Sequence, residues 1–178
     1  AGPEIVRAGP DAVAALRRFA ATTGAGVLNT WGAKGLYRWN DPHHHGTVGL
    51  QARDFELGGV RSGKLVVVTG LDPLEAPEAL WQSGLVIEAA PEQLDLLGVR
   101  WPDPDPDHPV VPPPAPPLYA ELSAALAPLY AHDGTPLTPA RAAADINDVR
   151  PAGALVVADP GLAGLWVARA LPTTELGS

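Results

Sequence analysis

Leu65-Val66-Val67-Val68-Thr69-Gly70 is the stretch on which the fold turns. Four consecutive aliphatic residues, three of them β-branched, do not alternate with polar ones, the pattern of a strand covered on both faces in a parallel sheet. The pattern recurs outward from it. Val27-Leu28-Asn29-Thr30 and Leu85-Val86-Ile87 read as short strands, Ile5-Val6-Arg7 as an earlier one and Ala154-Leu155-Val156-Val157-Ala158 as the last. Helical spacing fills the intervals. Asp11 to Thr22 puts Val13, Leu16 and Phe19 on one face with Arg17 and Arg18 outside, and Leu50 to Arg61 reads as a helix cut short by Gly58 and Gly59. Pro91 opens another helical turn. Leu118, Leu122, Leu126 and Leu129 mark a helix ending at Tyr130, Thr138 caps a helix over Ala140 to Val149 with Pro139 at its start, and Gly161 to Leu171 forms the final one. Short apolar strands alternating with amphipathic helices predict an α/β protein, an open and mostly parallel sheet flanked by helices.

Residues Pro102 to Pro117 interrupt this order, because nine of the sixteen are Pro and three are Asp. With so few backbone donors the segment reads as an extended linker. It lies inside a central α/β domain spanning 1–131, and residues 136–178 form a partial C-terminal unit. The chain has 178 residues, enough for one core or one core plus part of another. Its 12 Lys and Arg against 20 Asp and Glu give a net charge of −8, a field that repels phosphate backbones and anionic lipid headgroups. Nucleic acid and membrane surfaces are therefore not expected partners. Cys is absent, which excludes disulfides, thiolate metal sites and thiol nucleophiles and fits a cytoplasmic setting. The apolar window Ala152 to Leu171 has the length of a membrane span, but Asp159, Pro160 and Arg169 argue against one. No signal segment is evident at the start, and the lack of any Met predicts an excised fragment.

Ligands of parallel α/β sheets bind at the carboxyl ends of strands. Those ends are Ala8-Gly9, Thr30-Trp31-Gly32, Thr69-Gly70 and Asp159-Pro160-Gly161, so Gly9, Gly32 and Gly70 are places where backbone can approach a ligand. The dinucleotide glycine fingerprint is broken at Pro10. Gly32-Ala33-Lys34-Gly35 falls short of a phosphate loop and reads better as loop punctuation. His43-His44-His45 lacks the i, i+4 spacing that aims two imidazoles at one metal, so it reads as a solvated loop rather than a metal site. No nucleophile elbow, spaced carboxylate pair or oriented His emerges, and no catalytic residue is assigned. The residues alone support an α/β nucleotide-binding-like module with an appended partial unit.

The run from Leu16 to Glu75 resembles the central domain of thiamine-diphosphate-dependent enzymes of the acetolactate synthase and pyruvate decarboxylase superfamily. The family's strand, Gly-Lys-Gly-like turn, Asp/His-Pro loop and Gly-terminated strand are matched by Val27 to Thr30, Lys34-Gly35, Asp41-Pro42-His43 with Gly46 and Gly49, and Leu65 to Gly70. Gly153 to Leu171 resembles the first strand and helix of the family's diphosphate-binding domain, with Asp159, Gly161 and Trp166 in its Asp-x-Gly…Trp pattern. The resemblance implies a Rossmann-like central domain and the opening of a diphosphate-binding domain from about Pro136. It further implies a parent lyase or transferase acting on 2-oxo acids or related acyl donors, with thiamine diphosphate and magnesium, and FAD or ADP as a candidate ligand of the central domain. Asp159 and Gly161 would lie on the diphosphate side. Partners would be the parent's other domains in a homo-oligomer. The activating Glu and the Gly-Asp-Gly…Asn segment of the family have no counterpart here, and Leu162 and Ala163 replace its frequent Gln-His, so the chain alone is expected to be non-catalytic. The competing reading is a free-standing nucleotide-binding or structural interaction module.

Overall fold

A computed structural model describes residues 1–82, 84–99, 111 and 117–173 of the chain. Almost all of the Pro-rich linker lies outside these residues. The fold is mixed α/β. Pro3 and Pro10 each occupy a first helical position, where the missing N–H costs nothing, and start α1 (Pro3–Arg7) and α2 (Pro10–Thr23). Gly24, left-handed at φ 70°, closes α2. Ile5-Val6-Arg7 is thus helical rather than a strand, a correction with a clear cause. Pro3 has no N–H to continue a ladder, and a helix turns Ile5 into the core at 0 % exposure while Val6 faces outward. Leu16, Phe19 and Ala20 of α2 join Ile5 in that core. Arg17 is not simply outside, since it donates to the Leu36 carbonyl at 2.9 Å.

Strand β1 (Val27–Thr30) lies where the sequence places it and pairs in parallel with β2 (His44–Val48). β2 replaces the expected solvated His loop. His43 Nδ1 donates to the Ala25 carbonyl at 2.9 Å, His44 Nε2 donates to Asn29 Oδ1 at 3.0 Å, and His45 is buried. These contacts spread the three imidazoles over different partners. His45 lies so close to Gly26 that a Cβ there would overlap its ring. The helix expected over Leu50 to Arg61 shrinks to α3 (Asp54–Leu57) and a 3-10 turn at Val60–Ser62. The Asp54 carboxylate accepts the Leu50 and Gln51 N–H groups at 2.9 Å and so holds the preceding residues in a turn.

Strand β3 (Leu65–Val68) pairs in parallel with β4 (Leu85–Glu88), with α4 (Glu78–Trp81) between them in sequence. The one open sheet expected is instead two separate two-stranded parallel sheets. The chain start bridges them at their carboxyl ends. Ala1 donates to the Leu28 carbonyl at 2.8 Å and accepts from Thr30 N–H at 3.0 Å, while Gly2 N–H reaches the Thr69 carbonyl at 2.9 Å. After β4, α5 (Leu94–Val99) packs on α2, with Leu94 fully buried.

Three further helices follow among the described residues. α6 (Pro117–Tyr130), α7 (Pro139–Val149) and α8 (Leu162–Ala170) share a core of Leu126, Ala140, Ala143, Ala170 and Leu171. That core spans the boundary expected between 131 and 136. Thr138 caps α7, accepting from the Arg141 N–H at 3.2 Å. Ala154 to Ala158 forms no strand, a second correction. A strand needs a ladder partner, none among the described residues reaches this stretch, and Leu155 and Val157 are exposed at 75 % and 94 %.

Candidate functional site

Parallel pairing makes β1 and β2 end on the same side, so the residues that leave them are neighbours. β1 runs into the 3-10 turn Trp31–Ala33 and then Lys34, and β2 runs into Gly49, whose φ of 90° suits only glycine. The loop ahead of α8 stands opposite. Between them lies a cleft of about 490 Å³, with Trp31, Lys34 and Gly49 on one wall and Arg150, Asp159 and Thr173 on the other.

The cleft exists because Arg169, in the last turn of α8, crosses to the first half of the molecule. Its guanidinium donates to Asp54 Oδ2 at 2.7 Å and to the Thr47 carbonyl at 3.2 Å, and both side chains are buried. The Trp39 N–H adds a bond to the Thr173 carbonyl at 2.8 Å. Three donors converge on one Asp54 oxygen: the Leu50 and Gln51 amides and the Arg169 fork. A buried charge pair holds only when its hydrogen bonds are this complete.

Lys34 is the chemically conspicuous group. Among the described residues its ammonium makes no hydrogen bond or ion pair, and burial pushes it down from 10.5 to about 8, helped by the positive charges of Arg169 and Arg150. A partly buried cation beside the half-exposed indole of Trp31 is suited to a carboxylate or phosphate carrying a planar group. Asp159 faces the same space and is held in place as its Oδ2 accepts the Gly161 N–H at 3.1 Å.

Asp159 therefore lies at the cleft, with Gly161 beside it. Gly9, Gly32 and Gly70 do not converge. Gly9 separates α1 from α2 at φ 95° with open space around it. Gly32 donates its N–H to the Glu75 carboxylate at 3.1 Å, so a buried acid already holds the amide a phosphate would need. Gly70 is packed beneath α1, and the groove at the ends of β3 and β4 carries Glu4, Glu78, Glu88 and Glu92 against a single Arg7. Sequence reasoning missed Arg150 and Arg169. Arg169 had one legible signal, the single cation in the mostly apolar window Ala152 to Leu171. Among the described residues no group of three His, Cys, Asp or Glu is placed to hold a metal ion. No helix among them is long and apolar enough to cross a membrane.

Comparison with known protein families, curated proteins and solved structures returned no match.

The Lys34 charge sets a pH dependence whose sign is fixed. The unfolded chain holds the proton up to 10.5 and the folded one only to about 8. Stability is therefore reduced throughout the range below about 8 and recovers as pH rises from about 8 to 10.5. Lys34→Met removes this cost. Thermal unfolding should show the variant more stable at pH 7, by a few degrees at about 2–4 °C per kcal/mol for a chain of this size, with the gap closing toward pH 10.5. A variant that is less stable at pH 7 would contradict a desolvated Lys34.

Proposed function

We propose that this chain is part of a thiamine-diphosphate-dependent lyase or transferase of the acetolactate synthase and pyruvate decarboxylase superfamily, acting on 2-oxo acids or related acyl donors. Within it the chain contributes the Rossmann-like central scaffold and the opening of the diphosphate-binding domain. One observation supports this reading most: the Asp159-Pro160-Gly161 turn that the resemblance places on the diphosphate side faces the carboxyl ends of β1 and β2 across a cationic cleft.

The described residues do not by themselves fit the complete cofactor. Lys34 and Arg150 offer charge to an anion, but the cleft gathers no set of ligands for magnesium. In this reading the catalytic constellation belongs to other segments of the parent, since the family's activating Glu and Gly-Asp-Gly…Asn segment have no counterpart in the sequence, and the chain alone is non-catalytic. A flavin or adenine nucleotide across Gly9, Gly32 and Gly70 is the weaker part of the family reading, because Glu75 holds the Gly32 amide and the Gly70 groove is acidic. The oligomeric parent and its cytoplasmic setting belong to the same proposal.

Isothermal titration tests it. Thiamine diphosphate with magnesium should give no saturable heat, whereas pyruvate, the simplest 2-oxo acid, should bind weakly and lose that binding in Lys34→Met. Micromolar cofactor binding by the isolated chain would refute the need for further segments. Pyruvate binding that survives Lys34→Met, or is absent from the unaltered chain, would remove the cleft from the reading.

A further inference from the structure

Between β1 and β3 runs a slot of about 660 Å³, walled by Gly26, Val27 and Leu28 on one side and Val66, Val67 and Thr69 on the other. The backbone directions of both walls follow from bonds already described. Val27 N–H goes to His43 on the β2 side, so Leu28 and Thr30, one residue out of phase, point their N–H and C=O groups into the slot. Val68 accepts from Ala89 on the β4 side, so Val67 and Thr69 likewise point inward. Two parallel strands thus turn hydrogen-bonding edges toward the same apolar space, an arrangement that templates another strand.

Ala1 and Gly2 already sit in the end of that space with the bonding of such a strand. Ala1 bonds to the residues on either side of Asn29, the pattern of a parallel bridge, and Gly2 turns its N–H to β3. A central strand alternates between its two neighbours in just this way. The buried hydroxyls of Thr30 and Thr69, both lining the slot, have no partner among the described residues.

We propose that the slot is the seat of a β-strand of about five apolar residues, joined to the Ala1 nitrogen and running parallel to both β1 and β3. It unites the two small sheets into one five-stranded parallel sheet, in the order β2, β1, inserted strand, β3, β4. Ala1 bonds to β1 and Gly2 to the Thr69 carbonyl that follows β3, so at that end the gap is one strand wide, with the usual spacing of about 4.8 Å to either side. The inference is independent of the proposed function.

The test appends Val-Val-Ile-Val-Val to Ala1 and compares it with an Asp-Pro-Gly-Pro-Ser extension and with the chain itself, using thermal unfolding and amide hydrogen exchange. The apolar extension should raise Tm by about 5–10 °C and slow exchange at Leu28, Val67 and Thr69 by at least about 100-fold. The Pro-containing one should do neither. If the apolar extension aggregates, Thr-Val-Thr-Val-Thr keeps the strand propensity and carries the same expectation. Equal Tm for both extensions, or amides already protected in the unextended chain as monomer or dimer, would overturn the proposal.

Discussion

Arg169→Ala is expected to destabilise the protein by about 3–5 kcal/mol, because it strands the Asp54 carboxylate in a buried position. The Arg169 and Asp54 side chains are 7 % and 2 % exposed, so water does not replace the lost guanidinium. The same change severs the bond to Thr47 and with it the direct clasp between α8 and β2. Urea unfolding gives the energy, and limited proteolysis should show faster cleavage beyond Tyr130. Arg169→Lys should recover little, since an ammonium lacks the planar fork that reaches Thr47 and Asp54 together. A loss below about 1 kcal/mol with an unchanged digestion pattern would show that the two halves do not depend on this pair.

Ile5→Ala should cost about 2–5 kcal/mol, the range for truncating a large aliphatic side chain in a closed core. Ile5 has no exposed surface and meets the α2 face built from Leu16, Phe19 and Ala20. Its neighbour supplies the control. Val6, half exposed on the outer side of α1, should cost no more than about 0.5 kcal/mol when changed to Ala. Comparable losses at the two positions in chemical denaturation would show that α1 does not orient Ile5 as described.

The local readings that held are those in which neighbouring residues act on one another within a turn or two. Val27–Thr30 and Leu65–Val68 are strands because β-branched and apolar runs bounded by glycine fit little else, and Thr138-Pro139 starts α7 because the cap and the fixed φ are local. β2 escaped notice because His44, His45, Gly46 and Thr47 carry no apolar rhythm. His45, Gly46 and Thr47 are buried and His44 half-buried, held by hydrogen bonds to Asn29 and close contact with Gly26, which no periodicity encodes. Ala154 to Ala158 erred in the opposite direction, having strand composition but no edge to pair with among the described residues.

The candidate site divides in the same way. Asp159 and Gly161 stand out through the family motif they resemble, whereas the Lys34 turn reads in the sequence as loop punctuation. That Lys34 and Asp159 border one cleft was decided by Arg169 reaching Asp54, residues 115 apart in the chain. The sequence by itself determined the α/β class, the helices after residue 117 and the strands whose composition is aliphatic. Tertiary structure decided the helical start, the His-rich strand, the split into two sheets and the cationic cleft. Each of these depends on burial and hydrogen bonding between distant segments, and those energies are not assigned until the chain has folded.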